Sequence, residues 1–161
     1  MSLTFHRALF GLSLLLPVPC ASAAVVVPSG GSLSIPSSGT LDLGCTDLDV
    51  QGDLSVGSGQ ISQAAGVGIG AAGTLDGGSG VVTLGGDWNN AGTFLAGSST
   101  VILADGCGSA PIELAGNTTF HNLTLTSTSG RTFVIPAGSH ITVTGTLTLL
   151  GAPGPPIHLT S

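Results

Sequence analysis

The stretch His140–Leu150, HITVTGTLTLL, carries the clearest periodic pattern in the chain. One parity holds aliphatic residues around a central glycine: Ile141, Val143, Gly145, Leu147 and Leu149. The other parity holds threonines. Successive side chains of an extended chain point to opposite faces, so the stretch predicts a strand with an aliphatic face and a threonine face.

The same pattern, which is two apolar residues, a glycine and two more apolar residues at alternating positions, recurs at Leu48 and in part at Val82 and Ile112. Copies begin at Leu48, Val82, Ile112 and Ile141, and self-similarity at such regular intervals is typical of repeat architectures. The most helix-like intervening segment is Gln60–Ala72, but its three glycines would each cost about 1 kcal/mol in a helix. We therefore predict strands throughout, including one around Val67 and Ile69.

Two all-β architectures are compatible with many short strands. An antiparallel β-sandwich is the alternative prediction, because regularly spaced short strands are common there. The repeats favour a right-handed parallel β-helix. The scarcity of charge favours it too, because exposed strand edges are usually protected by charged residues, and a solenoid has edges only at its ends. Five-residue strands give coils of roughly 20–30 residues, and so about five or six coils.

Composition permits a core and excludes some partners. Of the 161 residues, 42% are hydrophobic, 27 are glycine, and the mean hydropathy is +0.57. The formal charge is −6, and Arg7 and Arg131 are the only basic residues. Without Arg7, one Arg against eight acids leaves −7. Such a chain cannot neutralise a row of phosphates, so we expect no nucleic-acid binding and no attraction to anionic lipid.

The segment Met1–Ala23 has the features of a secretory signal peptide. A weakly basic start precedes the apolar segment Ala8–Val18, which is too short to span a bilayer, and Ala21-Ser22-Ala23 is a small-residue cleavage site. Acylation at Cys20 is a weaker alternative, because Pro19 precedes it. After the leader, no apolar run is long enough for a membrane span. We predict a signal peptide over 1–23 and one repeat domain over 24–161.

Two cysteines remain after the leader, Cys45 and Cys107. In an oxidising compartment they form a candidate disulfide, and two buried free thiols are the alternative.

Few residues suggest chemistry. Asp47, Asp49 and Asp53 share one parity and could begin a Ca²⁺ site, but no known calcium-binding loop surrounds them. Asp47 and Asp49 are two positions apart on one strand and could serve glycoside cleavage, which needs paired carboxyl groups. A solvated polar face explains the row as well. We predict no catalytic, cofactor-binding or metal-binding residue.

Other candidates have simple structural explanations. His121, His140 and His158 follow one another at nearly equal intervals and could stack on successive coils, but a zinc site needs three or four converging ligands. Trp88 is either an exposed aromatic that stacks on sugars or a corner residue that packs on the next coil. We favour the second interpretation of Trp88 and expect the histidines to lie on the surface.

Two phrases carry a resemblance to a known group of proteins. Gly86–Phe94 (GDWNNAGTF) and Thr119–Leu125 (TFHNLTL) are its most specific parts, and the likeness covers essentially all of 24–161. The chain resembles the N-terminal part of exported bacterial β-strand-repeat proteins, which carry adhesin-like or autotransporter-like parallel β-helices. Many of these end in a sorting segment with an IPTL-type motif. This chain ends at Ser161 without one, so we expect a repeat domain truncated at its C-terminal end.

The resemblance implies a structural, adhesin-like protein without catalysis. It is expected to be exported to the surface or exterior of a bacterium, with the periplasm as the alternative. Surface glycans or other cell-surface proteins are its expected partners. The alternative function is a fragment of a carbohydrate-active β-helix enzyme or a carbohydrate-binding module. No cofactor is expected.

Overall fold

The computed structural model describes residues 23–108 and 111–161, so the predicted signal peptide, apart from Ala23, lies outside the described residues. Within these ranges the chain forms strands and turns and no helix. The strands are β1 (Ala24–Val27), β2 (Ser32–Ser34), β3 (Thr40–Val50), β4 (Asp53–Ser55), β5 (Gln60–Ile69), β6 (Thr74–Asp76), β7 (Val81–Leu84), β8 (Trp88–Asn90), β9 (Thr93–Leu95), β10 (Thr100–Leu103), β11 (Ile112–Phe120), β12 (Asn122–Ser127), β13 (Thr132–Val134), β14 (His140–Val143), β15 (Leu147–Gly151) and β16 (His158–Thr160).

These strands stack in parallel as a β-solenoid of about six turns. Three ladders run along it. The first ladder joins β3, β5, β7, β10, β12 and β15. The second ladder joins β1, the far end of β3, then β5, β8, β11, β13 and β16. The third ladder joins β2, β4, β6 and β9, and β11 pairs with β14 further along it.

The parallel solenoid predicted from the repeats is confirmed, and the antiparallel sandwich is wrong. Every pairing between named strands is parallel, and the one antiparallel bridge in the described chain is isolated, between Gly106 and Gly108. Gln60–Ile69 is a strand rather than a helix, as predicted.

The predicted continuous strand over 140–150 is wrong. It is two strands, β14 and β15, with Gly145 at the corner between them. Gly52 and Gly86 likewise separate β3 from β4 and β7 from β8. Three of the four copies are therefore a strand, a corner and a strand. In the copy that begins at Ile112, Gly116 lies inside β11, whose two halves pair on different ladders. Inward and outward side chains continue to alternate through such a corner, so the bend cannot be recognised from the sequence pattern.

The interval between copies of the pattern is consequently not the length of a coil. Copies of the pattern fall at different corners, and neighbouring copies are four or five sides apart rather than one full turn. A coil is short where Leu48 pairs with Val67 and longer where Thr132 pairs with His158. The solenoid thus has three-sided coils of unequal length.

The core fills the coil interior with stacked aliphatic residues. The largest fully buried ones include Leu48, Leu54, Ile61, Ile69, Leu75, Leu84, Leu103, Ile112 and Leu114. Burying an aliphatic side chain of this size stabilises the fold by about 1.5–3 kcal/mol. Trp88, Phe94 and Phe120 form an aromatic cluster against this core, with ring centroids 5.0–5.6 Å apart and the rings tilted or edge-on to one another.

The last coil leaves part of this interior open. Leu147, Leu149 and Leu159 lie in the inward rows that bury Leu123, Leu125 and Phe133 one coil earlier, yet all three are about half exposed. Leu147 and Leu159 border an apolar cavity of about 130 Å³. In the described residues no helix is long and apolar enough to cross a membrane.

Candidate functional site

The main surface feature is a furrow on the outer face of the second ladder. Its floor consists of Gly66 and Gly68, which lie in the outward row at the end of β5, and Gly70, which follows the strand. These residues have no side chain, while their inward neighbours Val67 and Ile69 are buried. The Val-Gly alternation of β5 therefore builds a normal core below and leaves a groove above.

Polar side chains flank the furrow on both sides. Asp47, Asp49 and Gln51 border it from β3 and the following corner, and Asp87, Asn89 and Ala91 border it from β8 and its corners. Asp49, Gly68 and Asn89 are direct ladder partners. Neighbouring strands lie about 4.8 Å apart, so the walls are about 10 Å apart. We call these nine residues the glycine furrow.

The furrow offers mainly hydrogen-bond acceptors. Gln51 Nε2 donates to Asp49 Oδ1 at 2.6 Å, and Asp87 Oδ1 accepts from the Glu113 N–H at 2.8 Å. Carboxylate and amide oxygens in two parallel rows can accept hydrogen bonds from a hydroxyl-rich chain. The furrow consists of two adjoining hollows of about 180 and 230 Å³.

The candidate calcium ligands do not converge. Asp47 and Asp49 lie on the second ladder, whereas Asp53 lies beyond the Gly52 corner, on the third. Leu48, Val50 and Leu54 are buried, so the predicted parity is correct, but the outward row turns a corner. Across the described ranges no three His, Cys, Asp or Glu side chains come together as a metal site.

The histidines lie on different sides of the coil. His121 is at the corner between β11 and β12, His140 begins β14 on the third ladder, and His158 begins β16 on the second. His140 and His158 are exposed and His121 is half-buried. Their intervals along the chain do not match the local coil lengths, so the three rings do not stack.

Trp88 is not a sugar-stacking residue. It is fully buried, and its Nε1–H donates to Thr118 Oγ1 at 3.1 Å. It lies within β8 rather than at a corner, a correction to the predicted position. Asn90 is also in β8, and its buried amide donates to Thr118 Oγ1 and the Asn117 carbonyl.

A polar cluster around Arg131 was not predicted from the sequence. The Arg131 side chain is buried, and its Nη1 donates to the carbonyls of Gly85 at 2.6 Å and Ala104 at 3.2 Å. Its Nε lies 4.0 Å from Asp105 Oδ1. The guanidinium therefore ties together three successive coils at the corner between the first and second ladders.

Asp105 is the acidic centre of this cluster. It accepts hydrogen bonds from the N–H groups of Thr128 and Ser129 at 2.7 and 3.1 Å, and from the hydroxyls of Ser127, Thr128 and Ser129. Burial raises the pKa of Asp105, but these hydrogen bonds outweigh it and lower the pKa to about 2. Asp105 and its donors are separated by one coil.

The two cysteines are joined at the same corner. The Cys45–Cys107 disulfide has a Cα–Cα distance of 5.2 Å. Cys107 Sγ also lies 3.7 Å from the Gln63 carbonyl oxygen. The disulfide, Arg131 and Asp105 therefore make this corner the most cross-linked part of the described chain. A scan against protein-family models and searches of curated proteins and of solved structures find no match to the chain.

Proposed function

We propose that the chain is an exported, adhesin-like structural protein of a bacterial cell surface, with no catalytic role of its own. The observation that carries the proposal is the division between the two faces of each strand. Inward rows are mainly aliphatic, and outward rows carry mainly hydroxyl and acidic groups, with Val26 and Leu95 as exposed apolar exceptions. On the third ladder, for example, Ser32, Asp53, Thr74 and Thr93 form one continuous outward row.

Such a surface suits a rigid spacer outside the cell. Stacked coils place chemically similar side chains at a repeat of about 4.8 Å, and a solenoid extends by adding coils. Hydroxyl groups keep this surface hydrated without a high charge. The predicted leader and the cross-linked cysteines support export, because disulfides persist in oxidising compartments.

The experiment is surface labelling of native cells with an antibody raised against the folded chain. We expect equal labelling of intact and permeabilised cells. Labelling only after permeabilisation would contradict a surface location, and recovery in the periplasmic fraction would support the alternative compartment. A cytosolic marker labelled in parallel controls for cell integrity.

The glycine furrow favours a second candidate function, carbohydrate binding. Two walls of acceptors about 10 Å apart match the width of an extended glycan chain hydrogen-bonded through its hydroxyls. The described aromatic residues Trp88, Phe94, Phe120 and Phe133 all pack into or against the core, so no aromatic platform contributes. Binding would therefore depend on hydrogen bonds alone.

A furrow-filling variant tests this candidate. A Cβ at Gly68 would have its nearest neighbour, the Leu48 carbonyl oxygen, 3.9 Å away, so the coil accepts a Cβ there and Gly68→Thr places a side chain in the furrow. We expect retention on immobilised cell-surface polysaccharide to fall about tenfold, while Ser55→Thr on the third ladder leaves it unchanged. Equal retention of both variants and the parent chain would exclude the furrow as the binding site.

A further inference from the structure

The Cys45–Cys107 disulfide joins parts of the solenoid that are three coils apart. Cys45 follows the first-ladder segment of β3, and Cys107 follows β10, with β5 and β7 between them. At about 4.8 Å per strand, the two corners would be about 14 Å apart if each stayed in its own coil. Their Cα atoms are 5.2 Å apart, so both segments leave their coils to meet.

The backbone around the bond is held in an unfavourable conformation. Among the described residues three non-glycine residues have positive φ, and two of them, Cys45 (φ 63°) and Gln63 (φ 53°), contact this bond. Positive φ costs a residue with a side chain about 1–2 kcal/mol. The β3–β5 register also shifts between Asp42 and Thr46, the segment that contains Cys45.

The Cys107 side of the bond packs closely against the backbone of another coil. Cys107 packs on Gly85, where a Cβ would lie only 2.5 Å from the Cys107 nitrogen. The Arg131 guanidinium donates a hydrogen bond to the Gly85 carbonyl. The segment Ala104–Gly108, which we call the Cys107 segment, thus lies over a hollow lined by Cys45, Gln63 and Gly85.

We infer that the Cys45–Cys107 disulfide is a redox-sensitive lock on this one corner, and that the three ladders do not depend on it. In the oxidised chain it pins the Cys107 segment across three coils. On reduction, a dithiol supplies two electrons and two protons, the S–S bond breaks to two thiols, and the dithiol becomes a cyclic disulfide. The left-handed residues then relax and the segment separates from Gln63 and Gly85.

The ladders have their own support. The register of β7 with β10 and of β10 with β12 runs over four consecutive pairs each, and none involves the Cys107 segment. The inward residues Leu84 and Leu103 beside the corner are fully buried in the aliphatic core. Reduction should therefore open the corner locally. The inference concerns the chain's own chemistry and does not rest on the function proposed above.

The experiment is hydrogen exchange with mass spectrometry on the full oxidised chain, before and after reduction. We expect exchange in the Cys107 segment to become at least about tenfold faster, while β5 and β10 change less than about twofold and the far-UV spectrum is unchanged. Unchanged exchange in the segment would show that Gly85, Arg131 and the hydrogen bonds of Asp105 suffice to hold it. Loss of the β-type spectrum would show that the bond supports the whole solenoid. Either result would overturn the inference.

A variant that spares the cysteines provides the second test. Gly85→Ala places a methyl group against the Cys107 backbone, whereas the methyl group of Gly68→Ala would have no neighbour closer than 3.9 Å. Under the same oxidant, we expect Gly85→Ala to leave two titratable thiols in most molecules and Gly68→Ala to leave almost none, with the same far-UV spectrum. Complete disulfide formation in Gly85→Ala would show that the disulfide does not need the close packing of Cys107 on Gly85, and would overturn the inference.

Discussion

The corner glycines should be required for steric reasons, and Gly86→Ala tests this most directly. Gly86 stands where the chain passes from β7 to β8, directly over the Ala65 carbonyl oxygen of the coil below. A Cβ at residue 86 would overlap that oxygen. Gly52 and Gly145, which are the central glycines of two other copies of the sequence pattern, also lie over backbone carbonyls of a neighbouring coil. The glycine of the sequence pattern therefore marks a close approach between coils.

The cost of this substitution depends on what must move. Relieving the overlap requires the two coils to separate locally, and inserting a methyl group into a packed site costs about 1–3 kcal/mol. The Val67 N–H donates to the Asp87 carbonyl at 2.8 Å beside this point, and weakening that bond adds about 1 kcal/mol. We expect Gly86→Ala to lower the free energy of unfolding by about 3 kcal/mol.

The matched control is Gly68→Ala, in the next strand of the same ladder. Its Cβ would have no neighbour closer than 3.9 Å, so the change should be neutral or stabilising by up to about 1 kcal/mol through the unfolded chain. Urea titration followed by Trp88 fluorescence measures both. With a slope of about 2 kcal/mol per molar urea, the midpoints should differ by about 1.5–2 M. Midpoints within about 0.3 M of each other, an interval set by the precision of such titrations, would refute the steric argument.

Three further predictions concern the core and the polar cluster. Leu125→Asp places a charge at a position that is 3% exposed and should cost about 4 kcal/mol or more, whereas Thr124→Asp on the outward face of the same strand should cost less than about 1 kcal/mol in urea titration. The pKa of Asp105 is about 2 in the fold and 3.8 ordinarily, so the ionised carboxylate stabilises the fold above pH 4. The stabilisation is about 1–2 kcal/mol after solvent screening is allowed for, and it is lost as the pH falls through 2. The stability difference between the parent chain and Asp105→Asn should therefore shrink between pH 5 and pH 2, and a constant difference would contradict the assignment. Trp88→Phe leaves a buried hydroxyl without its indole donor and should lower the thermal midpoint by about 2–4 °C, measured by far-UV circular dichroism.

Local alternation in the sequence predicted which side chains face inward, but not where the coil bends. From sequence alone, Leu147 and Leu125 are equivalent, because both alternate with threonine in a strand. The structure buries Leu125 and leaves Leu147 half exposed, because Leu147 lies on the last coil. Burial in a solenoid depends on having a neighbouring coil on each side, which no local pattern contains.

The contacts at the cross-linked corner depend on the lengths of whole coils. Arg131 reaches the Gly85 carbonyl two coils away and the Ala104 carbonyl one coil away. Because coil length varies, a residue's neighbour one coil away cannot be counted from a fixed period. The pairing of Cys45 with Cys107 is likewise set by two segments that leave their own coils. The sequence predicts that the two cysteines can form a disulfide, but only the strand pairing shows that they lie three coils apart.

The glycine furrow has an electrostatic explanation that is independent of any ligand. In a parallel ladder, residues of one outward row stack about 4.8 Å apart, and two carboxylates at that distance repel by about 3.5 kcal/mol at an effective dielectric constant of about 20. Gly66 lies between Asp47 and Asp87, which doubles the spacing and halves the repulsion to about 1.7 kcal/mol. Where the row does bring two acids together, at Asp87 and Glu113, the Asp87 carboxylate turns onto the Glu113 N–H.

This explanation and carbohydrate binding predict different results for the same substitution. If Gly68 serves only to keep a carboxylate away from Asp49, its ladder partner, a neutral threonine does that equally well, and Gly68→Thr changes neither stability nor retention on polysaccharide. If the furrow holds a glycan, the variant keeps its stability and loses retention, because the side chain occupies the ligand's place. Gly68→Asp should destabilise the fold under either explanation, since it puts a carboxylate directly beside Asp49, its ladder partner. The two variants therefore distinguish whether glycine is required at this position because like charges would otherwise stack or because a bound glycan occupies the space.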